Sequence, residues 1–249
     1  MSMQVGLQLY TVRDQTAQDF KGTIRKVAQL GYQGVEFAGY GDLSAEELRG
    51  LLQETGLKVA GSHVGYHLLQ ADSAREIEYC RQIGCPYLIV PYMSREDLND
   101  TERLLAFAKQ MNEYGKRCHE AGITLAYHNH NHEFEKLNGS YLLDILAENT
   151  DPELVKLELD TYWVAFAGVD PKAYLQQHAG RVPLVHLKDM TAERTFAEVG
   201  DGTLDILGYY TTAKEVGAAW YIVENDAPTI PSLESAERSF GNLAELTRR

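Results

Sequence analysis

Residues 127–136, with the sequence YHNHNHEFEK, place three histidines at alternate positions and a glutamate directly after the last. His128, His130 and His132 follow the apolar run 123–127, which is typical of a buried strand. Imidazole and carboxylate groups are costly to bury unless they bind a metal ion or one another. The spacing therefore indicates metal binding or proton transfer at the end of a strand.

Metal-type ligands also stand at or just past the apolar core of the next three predicted strands. Asp160 follows LEL, His186 lies in VPLVHLK, and Glu224 follows YIV. If these strand ends meet at one mouth, their carboxylates need a counter-charge, which a divalent cation supplies. We therefore expect one divalent ion, and the donor set would suit Mn²⁺, Co²⁺, Mg²⁺, Fe²⁺ or Zn²⁺.

The ligand on the fifth strand has two candidates. His128 and His132 would stand roughly 13 Å apart in an extended chain, so the three histidines cannot all bind one ion. We favour Glu133, which requires the chain to turn near Asn131, and His128 is the alternative because it lies nearer the strand. With Glu133 as ligand, His130 would stay in the mouth, free to move protons.

Further side chains at the predicted strand ends suit a polar organic substrate. Lys188 lies two residues past His186, on the same face, and could polarise a substrate oxygen or carry a proton. A plain ion pair with Asp160 or Glu158 is the alternative. The other strand ends supply the amide, aromatic and polar groups of a sugar-binding wall, or else of ordinary rim packing: Gln8, Tyr10, Glu36, His63, His128 and Trp163.

The elements that must position these groups recur in a fixed order. Six times a helix-periodic segment ends in Gly and a short apolar run follows, as at Gly31 before Gly34–Phe37. Two further strands, at 5–10 and 155–159, lack the glycine, which makes eight. Runs that are apolar on both faces are typical of parallel strands covered by helices.

Eight strand–helix units without a linker predict an α/β fold, a (β/α)8 TIM barrel forming a single domain over residues 1–249. An open doubly wound sheet is the alternative, weakened because no GxGxxG follows the first strand. Ser44–Glu47 reads as a capping box, and one long helix is predicted over 97–121. We expect further helix starts at 138–139, at Pro171 and after Pro231.

Composition and charge exclude several classes of protein. The net charge is −13, from 36 acids and 23 bases, which disfavours nucleic acid as a partner. Three cysteines without zinc-type spacing indicate reduced thiols, and 200–203 (GDGT) is expected to be a turn rather than a phosphate site. Without a signal-peptide pattern or a membrane-spanning run, a cytoplasmic protein with no membrane partner is expected.

At these residues the chain resembles the sugar isomerase/epimerase family with the xylose isomerase-like TIM barrel, which includes inosose dehydratases and relatives of endonuclease IV. The resemblance covers essentially the whole chain. It rests on YHNHNHEF at 127–134, LDTYW at 159–163, VHLKD at 185–189, GDG at 200–202 followed by Asp205, and IVE at 222–224.

The resemblance implies a mononuclear divalent metal centre with ligands from strands 5 to 8. Glu133, Asp160, His186 and Glu224 match those positions. In the epimerase branch, two glutamates near the metal move protons on either face of a ketose. Here strand 5 carries His128 or His130 where that branch often has Glu. Relatives that dehydrate cyclic ketones use a strand 5 His and a Lys after the strand 7 His, which His130 and Lys188 match.

These observations predict a divalent-metal-dependent isomerase or epimerase that acts on a sugar, keto-sugar or cyclitol through α-proton abstraction and an enediolate. The expected catalytic groups are His130, Lys188, Glu133 and Glu224. A dehydratase or lyase using the same metal site is the alternative. A metal-dependent hydrolase or endonuclease, and a binding protein on a degenerate barrel, are weaker hypotheses. A small-molecule substrate is the expected partner, and the sequence leaves a homo-oligomer open.

Overall fold

Eight parallel strands close into a barrel in the computed structural model, which describes residues 4–248. The first strand pairs with both the second and the last, which closes the barrel. In chain order the barrel strands are β1 (Val5–Gln8), β2 (Gly34–Phe37), β3 (Lys58–His63), β4 (Tyr87–Val90), β5 (Thr124–His128), β6 (Val155–Asp160), β7 (Leu184–Leu187) and β8 (Trp220–Val223). The predicted (β/α)8 barrel is confirmed. Residues 1–3 and 249 of the predicted domain lie outside the described residues.

Helices separate the strands and cover the outside of the barrel. The longer ones are α1 (Phe20–Gln29), α2 (Ala45–Thr55), α3 (Tyr66–Gln82), α4 (Thr101–Glu120), α5 (Leu142–Glu148), α6 (Pro171–Gln177), α7 (Ile206–Glu215) and α8 (Ser232–Thr247). Short helical segments span Leu9–Val12, Arg13–Thr16, Arg95–Leu98, His132–Phe134 and Thr161–Phe166. Two small hairpins pair Lys136–Leu137 with Ser140–Tyr141, and Asp189–Met190 with Phe196–Ala197.

The signals read from the sequence account for most helix ends. All six predicted glycines have a positive φ, including Gly56 directly after α2, where only a residue without a side chain adopts that conformation easily. The capping box of Ser44 and Glu47 is present. Pro171 opens α6 behind the cap Asp170, and α8 begins at Ser232. These helix starts are confirmed.

Two predicted helix starts are wrong. The helix predicted over 97–121 begins at Thr101, because Asp100 caps it through the backbone N–H of Arg103 and separates it from the segment Arg95–Leu98. Asn138 and Gly139 form the tight turn of a hairpin rather than a helix start, and α5 begins at Leu142.

The barrel interior has an apolar floor beneath a polar layer. Ala60, Ile89, Ala126, Leu184, Trp220 and Ile222 form the floor. Glycines make room between the layers, since a Cβ at Gly34 would lie 2.6 Å from the Trp220 ring and one at Gly61 would lie 2.9 Å from Oε1 of Glu36. The buried acids and histidines therefore collect above this floor, at the carboxyl ends of the strands.

Candidate metal and proton-transfer site

A cavity of about 450 Å³ opens at the carboxyl ends of the barrel strands. This is the end at which TIM barrels carry their active sites. Its walls come from loops and strand ends all around the barrel: Tyr10, Ala38, His63, Pro91, Tyr92, His128, His130, Lys188, Glu224 and Asp226. Of the predicted site residues, six therefore face one cavity: Tyr10, His63, His128, His130, Lys188 and Glu224.

An upper group of ligand-type side chains joins the ends of β6, β7 and β8. Asp160, His186 and Glu224 are buried and offer ligand atoms that lie within 4.8 Å of one another. Asp160 ends β6, and its Oδ1 accepts hydrogen bonds from the backbone N–H groups of Tyr162 and Trp163. Helix capping thus fixes the carboxylate and leaves Oδ2 for the group.

A lower group lies one layer deeper. Oε2 of Glu158 is 2.7 Å from Nε2 of His63 and 3.0 Å from Nδ1 of His128. Oε2 of Glu36 accepts a hydrogen bond from Gln8 at 2.7 Å and lies 3.1 Å from Nε2 of His63. Burial would lower the pKa of His63, but Glu36 and Glu158 outweigh it and raise that pKa to about 10. A protonated imidazole therefore neutralises part of the buried negative charge.

His186 connects the two groups. Its Nδ1 lies 2.8 Å from Oε2 of Glu224 and its Nε2 lies 2.7 Å from Oε2 of Glu36. When a carboxylate accepts the second ring N–H of a histidine, it fixes the ring and its tautomer, as is usual for histidines that bind metals. Glu36 therefore orients His186 towards the upper group.

The ammonium of Lys188 lies against the upper group and is almost fully buried. Nζ is 2.7 Å from Oε2 of Glu224, 2.9 Å from Oδ2 of Asp160 and 3.1 Å from both carboxylate oxygens of Asp226. Burial would lower its pKa, but these three carboxylates outweigh burial and hold the pKa of Lys188 well above its usual value. The lysine is therefore charged at neutral pH.

His130 stands in the same cavity in the opposite charge state. Burial, and then the nearby charge of Lys188, lower the pKa of His130 to about 3. Its ring lies 5.5 Å from the Trp163 ring, and Nζ of Lys188 lies 5.7 Å from that ring. Nδ1 of His130 is buried and has no hydrogen-bond partner among the described residues. The site thus presents a neutral imidazole and an ammonium near one indole.

The residues of the upper group fit a divalent cation. Two carboxylates and an imidazole are donors that first-row divalent metals accept. Oδ2 of Asp160 is buried and receives no well-oriented hydrogen bond within the described chain, although the lysine ammonium is near. Nε2 of His128, a residue of the lower group, lies 3.8 Å from that oxygen. This buried cluster could therefore bind a metal.

Glu133 is not brought into either group. The turn His132–Phe134 carries it beneath the loop, where Oε1 accepts from the Tyr127 hydroxyl at 2.7 Å and Oε2 from the backbone N–H of His130 at 2.8 Å. Burial raises its pKa. In this geometry Glu133 holds the His130 loop, and its predicted role as a ligand or catalyst finds no support.

Three predicted substrate contacts lie elsewhere than expected. Gln8 and Glu36 are fully buried and do not line the cavity, because they form the hydrogen-bonded layer below it. Trp163 packs behind His130 and Lys188 rather than lining the cavity. The three lie one layer below or behind the residues that line the cavity.

Two charged residues of the site escaped the sequence analysis as site residues. Asp226 lines the cavity and contacts Lys188, and Glu158 centres the lower group. Burial, and then Glu224, raise the pKa of Asp226 to about 7 in spite of Lys188. The sequence contains one signal that could have found both residues, because each lies two positions from a predicted metal ligand. Glu158 comes two residues before Asp160, and Asp226 comes two residues after Glu224.

The Gly-rich segment after β7 binds an internal carboxylate. Backbone N–H groups of Gly200 and Gly202 donate to Oδ2 of Asp189, at 2.9 and 3.1 Å, and those of Met190 and Leu204 donate to Oδ1. A Cβ at Gly202 would lie 2.2 Å from this carboxylate. This nest of N–H groups is thus filled by Asp189, in agreement with the expected turn.

The protein is a (β/α)8 barrel with a buried cluster of acids and histidines beneath a cavity at the carboxyl ends of its strands. Enzymes of this fold carry their active sites at that position. The profile of the family described as xylose isomerase-like TIM barrel matches residues 24–246. The chain belongs to this family. No helix among residues 4–248 is long and apolar enough to cross a membrane.

The proteins that the chain is similar to include a dehydratase in sequence and two isomerases or epimerases in fold. The chain is 28% identical to an inosose dehydratase of Geobacillus kaustophilus, over 81% of this chain and 78% of that protein. A sugar phosphate isomerase/epimerase of Parabacteroides distasonis has the same fold, with a TM-score of 0.83, 22% identity, and coverage of 99% of this chain and 96% of that one. An L-ribulose 3-epimerase superposes with a TM-score of 0.75 and 17% identity, over 99% and 96%.

Proposed function

We propose that this protein is a divalent-metal-dependent enzyme that removes the α-proton of a keto-sugar or keto-cyclitol and forms an enediolate. The observation that carries the proposal is the pairing of a neutral His130 with a charged Lys188 in one cavity, beside the Asp160, His186 and Glu224 cluster. Proton abstraction needs a base that is free of its proton, and the developing oxyanion needs a nearby cation.

Four side chains would hold the metal: His128, Asp160, His186 and Glu224. His128 takes the place first assigned to Glu133, because its Nε2 faces Asp160 while both oxygens of Glu133 are bonded elsewhere. When bound, the ion would act as a Lewis acid on the substrate carbonyl. Competitive titration of the metal-free protein with Mn²⁺, Co²⁺, Mg²⁺, Fe²⁺ and Zn²⁺ identifies the ion.

The protein's own groups divide the remaining tasks. His130 lines the cavity with a neutral ring and accepts the α-proton. Lys188 donates a hydrogen bond to the oxyanion and can return a proton. Glu36 keeps His186 in place, and Glu133 holds the loop that carries His130 through its backbone N–H. Return of the proton to another position completes isomerisation or epimerisation.

Dehydration or lyase chemistry is the second candidate. Loss of a β-hydroxyl requires a base and a separate proton donor, and His130 and Lys188 supply that combination. The name of the 28% identical inosose dehydratase supports it as well. Both candidates share the first step, so the substrate is expected to be a ketone in either case.

Solvent exchange tests the shared step. The manganese-loaded protein is incubated in D₂O with a panel of keto-hexoses and keto-inositols, and deuterium next to the carbonyl is followed by NMR and mass spectrometry. Exchange without a change of formula indicates isomerase or epimerase action, and a loss of 18 mass units indicates dehydration. Absence of exchange with every ketone in the panel would overturn the proposal.

A further inference from the structure

A second cavity, of about 740 Å³, lies beside the cavity at the carboxyl ends of the strands, which is called the mouth below, and shares a wall with it. Pro91 and Tyr92, directly after β4, border both cavities. The side chain of Tyr92 is 52% exposed, which is unusual for a large aromatic residue. Its ring lies edge-on to His130 and His132, at 5.6 and 5.3 Å between centroids. The boundary between the two cavities therefore stands next to the proposed base.

The second cavity, called the groove below, is lined by aromatic faces and planar polar groups. Tyr66 and Phe107 pack edge to face at 5.0 Å and form part of its wall. Gln70, Asp97 and Arg103 line it with amide, carboxylate and guanidinium groups. Aromatic faces pack on the C–H surface of a sugar ring, while planar polar side chains bond its hydroxyls. This composition suits a polyhydroxylated ring rather than a purely apolar group.

The charges of Arg103 and Asp97 balance each other in the groove, which favours a neutral ligand. Arg103 and Asp97 line the same wall, and the guanidinium lies 3.7 Å from the carboxylate. The nest of backbone N–H groups after β7, the usual region for phosphate in this barrel type, is filled by Asp189. A phosphate or carboxylate on the substrate would therefore have to compete with Asp97 for Arg103 in the groove, and would find the nest after β7 already filled.

We propose that the groove is a subsite for the outer unit of a two-unit glycoside, so that the substrate is an uncharged keto-glycoside rather than a single keto-sugar. The inference rests on the function proposed above and names the substrate class of that site. The oxidised ring lies in the mouth near His130 and Lys188. The linkage crosses at Tyr92, and the second ring packs between Tyr66 and the polar side chains of the groove.

The test compares two groove contacts with the same residue types at the other end of the molecule. Gln70→Ala/Arg103→Ala removes two polar side chains from the groove. Gln53→Ala/Arg49→Ala removes the same two types from a separate cavity at the floor of the barrel, which Trp220 also lines. The probes are a neutral keto-disaccharide and the matching keto-hexose, and the readout is the Kd of each for the full-length, manganese-loaded protein.

We expect the wild type and the floor variant, Gln53→Ala/Arg49→Ala, to bind the keto-disaccharide at least about tenfold more tightly than they bind the keto-hexose. The groove variant loses most of this difference while its Kd for the keto-hexose stays the same. Equal affinity of the wild type for both probes, or equal weakening of both in the groove variant, would overturn the subsite. Deuterium exchange with the keto-hexose reports the function separately, because that probe does not reach the groove.

Discussion

Lys188 shares its carboxylate neighbours with the proposed metal ion. Its ammonium contacts Glu224 and Asp160 at 2.7 and 2.9 Å, whereas a divalent ion would bind the same oxygens at about 2.1 Å. Two cations so close together repel each other strongly in a buried site. Asp226, with both oxygens 3.1 Å from Nζ, is the carboxylate that can hold the ammonium while the metal occupies the ligand group.

Lys188→Met therefore tightens metal binding while it abolishes turnover. The neutral side chain removes the competing charge and leaves Asp160 and Glu224 without compensation, so the affinity for Mn²⁺ should rise about tenfold or more, which corresponds to about 1.4 kcal/mol. Isothermal titration of the metal-free protein measures the affinity. Lys172→Met, at an exposed ion pair with Asp205, is the matched control and should bind Mn²⁺ as the wild type does. Weaker binding in Lys188→Met would show that the lysine supports the site.

His130→Asn should lower the rate of deuterium exchange by about 10²–10⁴-fold, the usual contribution of a positioned base. The affinity for Mn²⁺ should stay within about threefold, because His130 is outside both ligand groups. His132, whose Nε2–H donates to the Met93 carbonyl oxygen, provides the loop control His132→Asn. A variant that keeps its exchange rate would remove His130 from the mechanism.

The pH dependence of the wild type follows from the same residue. An ordinary histidine is half protonated near pH 6.5, but the pKa of His130 is lowered to about 3. The base is therefore free of its proton throughout the range from pH 5 to 8, and protonation removes it only when the pH falls towards 3. The exchange rate at saturating Mn²⁺ should show no loss with a midpoint near 6.5 that belongs to His130. Asp226→Asn is the control, because the pKa of that cavity carboxyl is about 7, and a clear sigmoidal loss near pH 6.5 that persists in this variant would contradict the assignment.

At the scale of residues, the sequence predicted which residues belong to the site better than it predicted the contacts that each of them makes. Asp160, His186 and Glu224 come together because strand ends converge in any barrel, which spacing alone can show. Glu133 could not be placed, because its direction depends on the turn His132–Phe134 and on the Tyr127 hydroxyl. Glu36 and Gln8 were predicted to touch substrate, but depth along a strand depends on the stagger of the whole barrel.

The loop after β7 shows how an element is organised by one side chain. The carboxylate of Asp189 accepts four backbone N–H groups from residues 190–204 and is almost fully buried. Charge-assisted hydrogen bonds of this kind are stronger than neutral ones. The loop follows β7, which carries His186, and begins next to Lys188, so its order helps to hold both.

Asp189→Ala should lower the free energy of unfolding by about 2–4 kcal/mol, since several buried N–H groups lose their acceptor. Inorganic phosphate should recover part of the loss, because the emptied nest can then bind an anion. Urea unfolding with and without phosphate measures both effects. Asp201→Ala, in the same loop but bonded to Asn242 and Arg238 at the surface, is the control and should change stability by less than about 1 kcal/mol. An Asp189→Ala variant that unfolds at the same urea concentration as the wild type would contradict the stabilising role of the nest.

At the scale of elements, local chemistry predicted the boundaries that it controls. A glycine with positive φ closes a helix through local backbone geometry, so Gly31 and Gly56 could be placed from the sequence. The break before Thr101 was missed because Asp100 is a cap within an otherwise helical pattern. The two small hairpins were missed as well, since strands of two residues have no periodicity to detect.

Over the whole molecule, the barrel separates an apolar core, which stabilises the fold, from the polar cavity that carries the proposed active site. The apolar floor and the shell between strands and helices are continuous, and the three cysteines belong to that shell. Eight strand–helix units were predictable because the alternation is a property of the complete chain. The groove beside the mouth was not predictable, because its lining comes from loops and helices whose relative positions depend on tertiary packing.

The three thiols provide a test of this continuous shell. Cys80, Cys85 and Cys118 are buried, and burial raises the pKa of Cys118 to about 12. Reaction with a thiol reagent at pH 8 should therefore require global unfolding, with three thiols titrated at once in urea and almost none in native buffer. Rapid reaction of a thiol in the native protein would indicate that part of the shell opens locally.

Metal stoichiometry tests the central claim most directly. The purified protein and Glu224→Gln are stripped with a chelator, incubated with Mn²⁺ or Zn²⁺, freed of unbound ions and analysed for metal. The account predicts about one ion per chain in the wild type and at least about a hundredfold weaker binding in the variant, which keeps the shape of the ligand but loses its charge. A wild type that retains no metal, or a variant that retains as much as the wild type, would contradict the proposed metal centre.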